Sequence, residues 1–225
     1  MNNIGDKIAS IKGQLPEQVR LIAVSKTKPI EDIQAAYDAG HRLFGENKAL
    51  ECRDKAEALP DNIHWHFIGH LQRNKVKYIA PFVKMIHGVD SLRLLIEINK
   101  EAKKNDRIIS CLLQFHIASE ETKFGLDIKE ATELLSSDEY KEMKNIKITG
   151  VMGMASNTFD TDLVRAEFQH LLNIFQSVRY KFFIDNIFYR EISMGMSSDY
   201  QIAVQEGSTL VRIGSSIFGA RNVNP

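Results

Sequence analysis

The sequence predicts an α/β protein, a single (β/α)8 barrel of the TIM type. Two observations carry that expectation. Eight short apolar runs recur along the 225 residues, and stretches with helical apolar spacing lie between them. Strands alternating with helices build parallel βαβ units, and eight such units suggest closure into a barrel. A third observation bears on the alternative, a doubly wound open sheet: neither a G-x-G-x-x-G fingerprint nor a P-loop pattern occurs.

The expected strands cover 21–25, 42–46, 64–69, 85–89, 109–117, 146–155, 191–197 and 210–219. The first helical stretch, 30–39, carries Ile33, Ala36 and Tyr37 at helical spacing and ends at Gly40, a residue suited to a C-cap. Residues 48–59 are rich in Ala, Leu, Glu and Lys, which are good helix formers. The stretch 74–81 is short. In 91–104, Asp90 or Ser91 is placed to cap the N-terminus, and Leu94, Leu95 and Ile98 share one face. Residues 127–135 and 162–178 repeat the amphipathic pattern.

At about 150 residues per domain, this length fits one large barrel, and we expect 1–225 to form a single domain. No repeat or linker rich in Pro, Gly or Ser divides it. Lys and Arg number 29, as do Asp and Glu, so the formal charge is zero. That balance argues against nucleic-acid binding through a strongly basic surface. No run of eighteen uncharged apolar residues exists, so no transmembrane helix and no membrane partner are expected. The charged N-terminal segment does not resemble a secretory signal. Cys52 and Cys111 are the only cysteines and make no disulfide framework, which points to a reduced cytoplasmic compartment.

In such a barrel, function gathers at the C-terminal ends of the strands. That filter selects Lys26, Glu46, Asn47, His70, Asp90, Ser119, Ser156, Ser197, Ser198 and the turn 214–216. A partly desolvated Lys26 loses some of its preference for the charged form, which frees the amine to attack a carbonyl. The bland alternative is a lysine that snorkels from a strand end. Gly214 allows close approach to a ligand. Backbone N–H groups and the hydroxyls of Ser215 and Ser216 could hold a phosphate there, with Ser197 and Ser198 on the other side. Two ordinary turns with serine caps would read the same way. Arg212 lies within a strand run, where a buried charge needs a partner, either a carboxylate or a ligand atom. His64, Trp65, His66 and His70 form H-x-H-x-x-x-H, the best metal-site rival, with Asp90 and His87 nearest on the next strand; buried or interfacial histidines are the default. Cys52 and Cys111 read as small buried hydrophobes. The methionines of 150–155 and 193–197 are expected to line the barrel interior.

Taken together, several of these segments resemble a known family. Lys26 in AVSKT, FGEN at 44–47, FIGHLQRNK at 67–75, SMGMSSDY at 193–200 and VRIGSSIFGAR at 211–221 are similar to the pyridoxal phosphate homeostasis proteins, also described as proline synthetase co-transcribed bacterial homologues. The resemblance runs from Leu21 to Arg221 and rests on five ordered motifs. It implies a barrel like the alanine racemase N-terminal domain, with pyridoxal 5′-phosphate held on Lys26 as an internal aldimine. It further implies that Arg212 faces the pyridine nitrogen and that Ser197, Gly214 and Ser215 hold the phosphate, with Asn47 and His70 near the ring. The sequence departs from the family at Phe115 and His116, where Val and Asn are common, and at Phe124, where serine is common; Lys123 matches. The chain runs six residues past Gly219, so no β-rich second domain carrying a racemase's second base is expected. The implied function is cofactor buffering and delivery, with transient contact with apo-enzymes. The alternatives are a weak or narrow amino-acid racemase and a metal-dependent hydrolase.

Overall fold

The computed structural model describes residues 3–119 and 124–220. Eight parallel strands close into a barrel in sequence order: β1 (Arg20–Val24), β2 (Leu43–Glu46), β3 (His64–Phe67), β4 (Met85–Val89), β5 (Ile109–Gln114), β6 (Ile146–Met152), β7 (Glu191–Ser193) and β8 (Leu210–Ile213). Closure comes from β8 pairing with β1, where Ile22 lies opposite Arg212. The helices are α1 (Ile4–Gly13), α2 (Ile30–Asp38), α3 (Ala49–Ala58), α4 (Val76–Ile79), α5 (Leu92–Lys104), α6 (Ile128–Ser136), α7 (Asp138–Lys141), α8 (Thr161–Phe182), α9 (Tyr200–Gln205) and α10 (Ser215–Phe218).

Local chemistry explains several helix starts. Asn3 and Asp127 each form a capping box with the acidic residue three positions on, Asp6 and Glu130, and Ser91 accepts from the N–H of Leu94. The large apolar layer lies between the strands and the helices. Phe44, Phe67, Ile86, Leu95, Ile98 and Phe168 are buried there. The barrel interior has a smaller apolar cluster of Ile22, Met85, Leu112, Met152 and Leu210. Among the described residues, no helix is long and apolar enough to cross a membrane.

The barrel is the one expected, but several strands end sooner. β8 stops at Ile213, and 215–218 is the short helix α10 rather than more strand. β7 stops at Ser193, because Gly195 turns the chain at φ +94° and its carbonyl accepts from the N–H of Arg212. β5 stops at Gln114, and Phe115 makes only an isolated bridge to Leu126. Of the apolar side chains that follow these strands, Phe115, Ile117, Met194, Ile217 and Phe218 join the outer apolar layer and Met196 lines the cavity at the strand ends, so they prolong the hydrophobic pattern without prolonging the ladder. Helices α1, α7 and α9 were not anticipated.

The methionines divide between sites. Met152 fills the interior, Met154 and Met196 line the cavity described below, and Met194 belongs instead to the outer apolar layer.

Candidate functional site

A cavity of about 500 Å³ opens at the C-terminal ends of the strands. Lys26, Asn47, His70, Ser197, Arg212, Gly214 and Ser215 all line it. All the residues expected to contact the cofactor are thus brought to one place. Ser198, Gln114, Met154, Met196 and Phe124 complete much of the wall. Ser119 and Ser156 are not part of it. Each donates to the Glu167 carboxylate, Ser119 through its N–H at 3.0 Å and Ser156 through its hydroxyl at 2.6 Å. Lys123 and Arg221 lie outside the described residues.

Lys26 follows β1 and is half-buried. The next residue, Thr27, has a φ of +64°, a left-handed conformation that disfavours a β-branched side chain. Its N–H donates to Glu51 Oε1 at 2.6 Å. Behind this turn lies a buried ionic cluster. Lys55 Nζ donates to Glu46 Oε1 at 2.8 Å, to Glu51 Oε1 at 2.7 Å and to the Ser25 carbonyl at 2.7 Å. The Ser25 hydroxyl donates to Glu46 Oε1 at 2.7 Å. Burial pushes the Glu46 carboxyl above its usual range, while the Lys55 ammonium and the Ser25 hydroxyl pull the other way. The cluster fixes both sides of Lys26, through Ser25 and Thr27. Lys55 had no sequence signal; Glu51 and Lys55 at i, i+4 look like any surface helix pair.

Lys28 is engaged elsewhere. Its Nζ donates to the carbonyls of Phe218, Gly219 and Ala220, at 3.0, 3.1 and 2.8 Å, and so ties the end of α10 to β1.

At the ends of β7 and β8, Ser197 Oγ accepts from the Gly214 N–H at 3.3 Å. A Cβ on Gly214 would lie 3.0 Å from the Val24 carbonyl oxygen, so the bare backbone suits this close packing. Ser215 opens α10, where a helix N–H has no intrahelical acceptor. A hydroxyl and an open N–H side by side suit a phosphate oxygen. Across the cavity, Asn47 Oδ1 is buried with no hydrogen-bond partner among the described residues. Asn47 is packed against Gly69, where a Cβ would come within 2.7 Å of its carbonyl oxygen.

Arg212 is 4% exposed. Its Nη1 donates to the Ser193 carbonyl at 2.8 Å and the Ser193 hydroxyl at 2.6 Å, and its Nη2 donates to the Gly153 carbonyl at 3.1 Å. These partners are oxygens of the barrel wall, not the carboxylate considered from sequence. Burial lowers its pKa to about 10, opposed by Asp199, so it stays charged at neutral pH. His70 sits at the exposed rim, with Nδ1 3.2 Å from Asp90 Oδ2. The Phe124 ring stacks on it at 4.4 Å between centroids and 20° between planes. The departure at Phe124 therefore gives the mouth an aromatic edge.

The proposed metal pair is divided by burial. His66 is buried and bonded to His87, whereas His64 lies at the open N-terminal end of β3. Among the described residues, no three His, Cys, Asp or Glu side chains converge as metal ligands. Burial raises both thiol pKa values, Cys52 and Cys111, which suits small core residues.

Comparison with known proteins agrees with this geometry. The family described as alanine racemase, N-terminal domain, matches residues 1–222. The chain is 38% identical over 204 residues to the pyridoxal phosphate homeostasis protein of Aquifex aeolicus, covering 90% of this chain and 87% of that one. It is 33% identical over 240 residues to the one from Escherichia coli K12, covering 99% and 98%. The structure of PipY from Synechococcus elongatus, solved with pyridoxal phosphate bound, aligns at a TM-score of 0.85 and 32% identity, over 96% of this chain and 100% of that one. Alanine racemase from Bartonella henselae shares the fold at a TM-score of 0.70 and 16% identity, and this chain spans 60% of its length. By its family match and by relatives alike along nearly its whole length, the chain belongs to the pyridoxal phosphate homeostasis protein family, on the barrel of the alanine racemase N-terminal domain.

Proposed function

We propose that this chain binds pyridoxal 5′-phosphate in the cavity at the strand ends and serves cytoplasmic homeostasis of that cofactor. In this reading, residues 1–225 act as one cofactor-binding barrel domain. The protein buffers the reactive aldehyde, hands it to apo-enzymes in transient contacts, and has no strong catalytic activity of its own. The observation that carries the reading is the convergence of Lys26, Arg212 and the Ser197, Gly214 and Ser215 groups on one cavity. The names of the relatives, homeostasis proteins rather than enzymes, support it.

Pyridoxal phosphate supplies an aldehyde that condenses reversibly with a primary amine. Lys26 is the amine held at the cavity by the ionic cluster behind it. Ser197 Oγ with the Gly214 and Ser215 backbone would hold the phosphate. Arg212, charged and donor-only, would face the ring nitrogen and leave that nitrogen unprotonated. Asn47 and His70 would meet the ring and its substituents; the orphaned Asn47 Oδ1 suits a donor there.

The test is a visible spectrum of the protein with pyridoxal phosphate, then borohydride reduction and peptide mass mapping. The expected result is a yellow band lost on reduction, with added mass on Lys26. A Lys26→Ala variant should keep its fold and gain no mass. Mass fixed elsewhere, or none, overturns the reading. Loaded protein should also reactivate an apo-enzyme faster than free cofactor does; equal rates would remove delivery from the proposal.

A further inference from the structure

From Arg212 a polar line runs through the barrel interior, and the proposed cofactor chemistry gives no role to the residues behind the arginine. It starts at Arg212, whose Nη1 donates to Ser193 Oγ at 2.6 Å. Ser193 Oγ lies 2.9 Å from His87 Nδ1, and His87 Nε2 lies 2.9 Å from His66 Nδ1. The four residues stand on β8, β7, β4 and β3. Strands β4 and β7 are not neighbours in the sheet, so the Ser193–His87 bond spans the inside of the barrel. All four side chains are buried, Ser193 and His87 completely.

The directions of the bonds follow from two facts: arginine only donates, and a buried hydroxyl proton needs an acceptor. An arginine side chain offers only donors. Ser193 Oγ therefore accepts from Arg212, and because His87 Nδ1 is the one acceptor within reach of its own proton among the described residues, the arrangement that leaves no buried proton unpaired points that proton at His87. No other partner of this hydroxyl exists among the described residues. His87 Nδ1 must then be bare to accept. A neutral imidazole carries one proton, so His87 carries it on Nε2 and donates it to His66 Nδ1. His66 is bare at Nδ1 for the same reason and carries its proton on Nε2. Protonating His87 at Nδ1 would make Ser193 Oγ accept twice and leave its own buried proton without an acceptor among the described residues.

The surroundings keep both rings neutral. His66 and His87 are wholly enclosed, and the charged groups facing them are mostly cationic: Arg20 on β1, Arg212 on β8 and Lys84 ahead of β4, with His64 on β3 near His66. Arg20 is itself paired with Glu191 on β7 at 2.5 Å. Burial first, then these charges, pushes His66 down to about 3 and His87 well below its ordinary value.

We propose that His87, with His66 behind it, is a positioning residue for Arg212: the one-way line through Ser193 fixes which guanidinium edge faces the cavity, and so sets what the ring nitrogen of a bound pyridoxal phosphate meets. The last clause rests on the cofactor reading above; the order of the hydrogen bonds does not. Two of the three wall bonds of Arg212 end on backbone carbonyls and survive any side-chain change there. The Ser193 hydroxyl is its one side-chain anchor among them, and His87, by accepting the hydroxyl proton, holds the lone pairs toward Arg212.

The first test uses ligand-free protein with 15N-labelled histidine and long-range proton–nitrogen correlation spectra. His66 and His87 should both show the neutral Nε2-protonated pattern, unchanged from about pH 8 to about pH 5, where an ordinary histidine becomes protonated. Loss of signals in His66→Gln and His87→Asn assigns them. An Nδ1-protonated His87, or titration of either ring in that range, overturns the proposal.

The second test compares release of pyridoxal phosphate and the visible band in His87→Leu, His87→Asn and Ser193→Ala. Asn presents Oδ1 where His presents Nδ1, so it can still accept from Ser193; Leu cannot. Release should be about tenfold faster in the Leu and Ala variants, the scale of one lost hydrogen bond to a charged group, with a displaced band. The Asn variant should stay near wild type. A Leu variant indistinguishable from wild type, or an Asn variant as impaired as Leu, overturns the proposal. If the Leu variant does not fold, the Asn and Ser193→Ala variants and the spectra still decide. Wild-type protein that takes up no pyridoxal phosphate overturns the cofactor reading and the role at the ring nitrogen with it, while the tautomer order stands or falls on the spectra alone.

Discussion

Lys55 carries its ammonium into the gap between α3 and the ends of β1 and β2, where it meets Glu46, Glu51 and the Ser25 carbonyl. Its side chain is 7% exposed and that of Glu46 is fully buried. A buried pair of this kind adds little net stability compared with an apolar filling, but losing one partner strands the other charge. Lys55→Met should therefore lower the unfolding free energy by about 3 kcal/mol. It should also slow uptake of pyridoxal phosphate, because Glu51 loses the partner that orients it toward the strained Thr27 turn. A denaturant titration and a stopped-flow binding trace measure the two effects. An unchanged midpoint would mean that Glu46 takes up a proton and needs no lysine. The cluster illustrates what a sequence hides at this scale. Lys26, Ser197 and Gly214 could be found because each was placed at a strand end beside a motif, and Arg212 because a charge within a strand run needs a partner. Lys55, Ser193 and the His87 bond could not, because periodicity says which way a side chain points but not what it meets across a barrel.

Strand β6 shows the same limit for an element. Its apolar pattern reads as one continuous strand, yet its pairing with β5 slips: Cys111 lies opposite Ile148, and Leu112 opposite Gly150. Thr149 is the extra residue of a β-bulge, which bends the strand where the barrel must curve. Gly150 makes the bulge possible, with a φ of +155° and a backbone so close to β7 that a Cβ would clash with the Glu191 carbonyl oxygen at 1.8 Å. Neither strain nor contact can be relieved by rotating a side chain, because the obstacle is backbone. Gly150→Ala should destabilise by about 4 kcal/mol or more, in the range of severe core lesions. Soluble yield and thermal unfolding are the measurements, and a variant as stable as its parent would mean the bulge is not there. The starts of most strands were legible to within a residue because a turn and a change of polarity mark them. The C-terminal ends of β1, β2 and β4 were legible as well, but those of β5 to β8 were not, because apolar residues such as Phe115, Met194, Met196, Ile217 and Phe218 continue after the ladder stops, some joining the outer layer and Met196 lining the cavity. The binding function itself blurs the pattern there: a loop that lines a pocket is partly buried, so it reads as strand.

For the whole molecule, net charge is zero near neutrality, so general charge repulsion contributes little there and individual buried groups govern the response to acid. Three histidines are buried and held neutral. His41 is lowered to about 4, chiefly by burial, with its Nε2 2.8 Å from the Leu43 carbonyl; His66 is lowered to about 3, and burial holds His87 well below its ordinary value. For a base with a depressed pKa the sign is definite. Above the ordinary histidine value of about 6.5, both folded and unfolded chains leave these rings neutral, and stability is at its full value. Below it, the unfolded chain takes up protons that the folded barrel refuses, so stability falls as pH falls from about 6.5 toward 4. Glu46 works in the opposite sense, since its raised pKa lets the folded state hold a proton that the unfolded chain has released. One carboxyl against three imidazoles leaves a net loss. Unfolding near pH 5 should take up about two to three protons, a slope of about 3 to 4 kcal/mol per pH unit. Against a typical total of 5 to 15 kcal/mol, a drop of one unit removes much of the reserve. Urea midpoints measured from pH 7.5 to 5 should therefore fall steeply below about pH 6.5. The profile should flatten in part in His87→Asn, which no longer carries one of the rings. A midpoint that stays level down to pH 5 would mean that the interior admits protons, and the neutral line from His66 to Arg212 would fail with it.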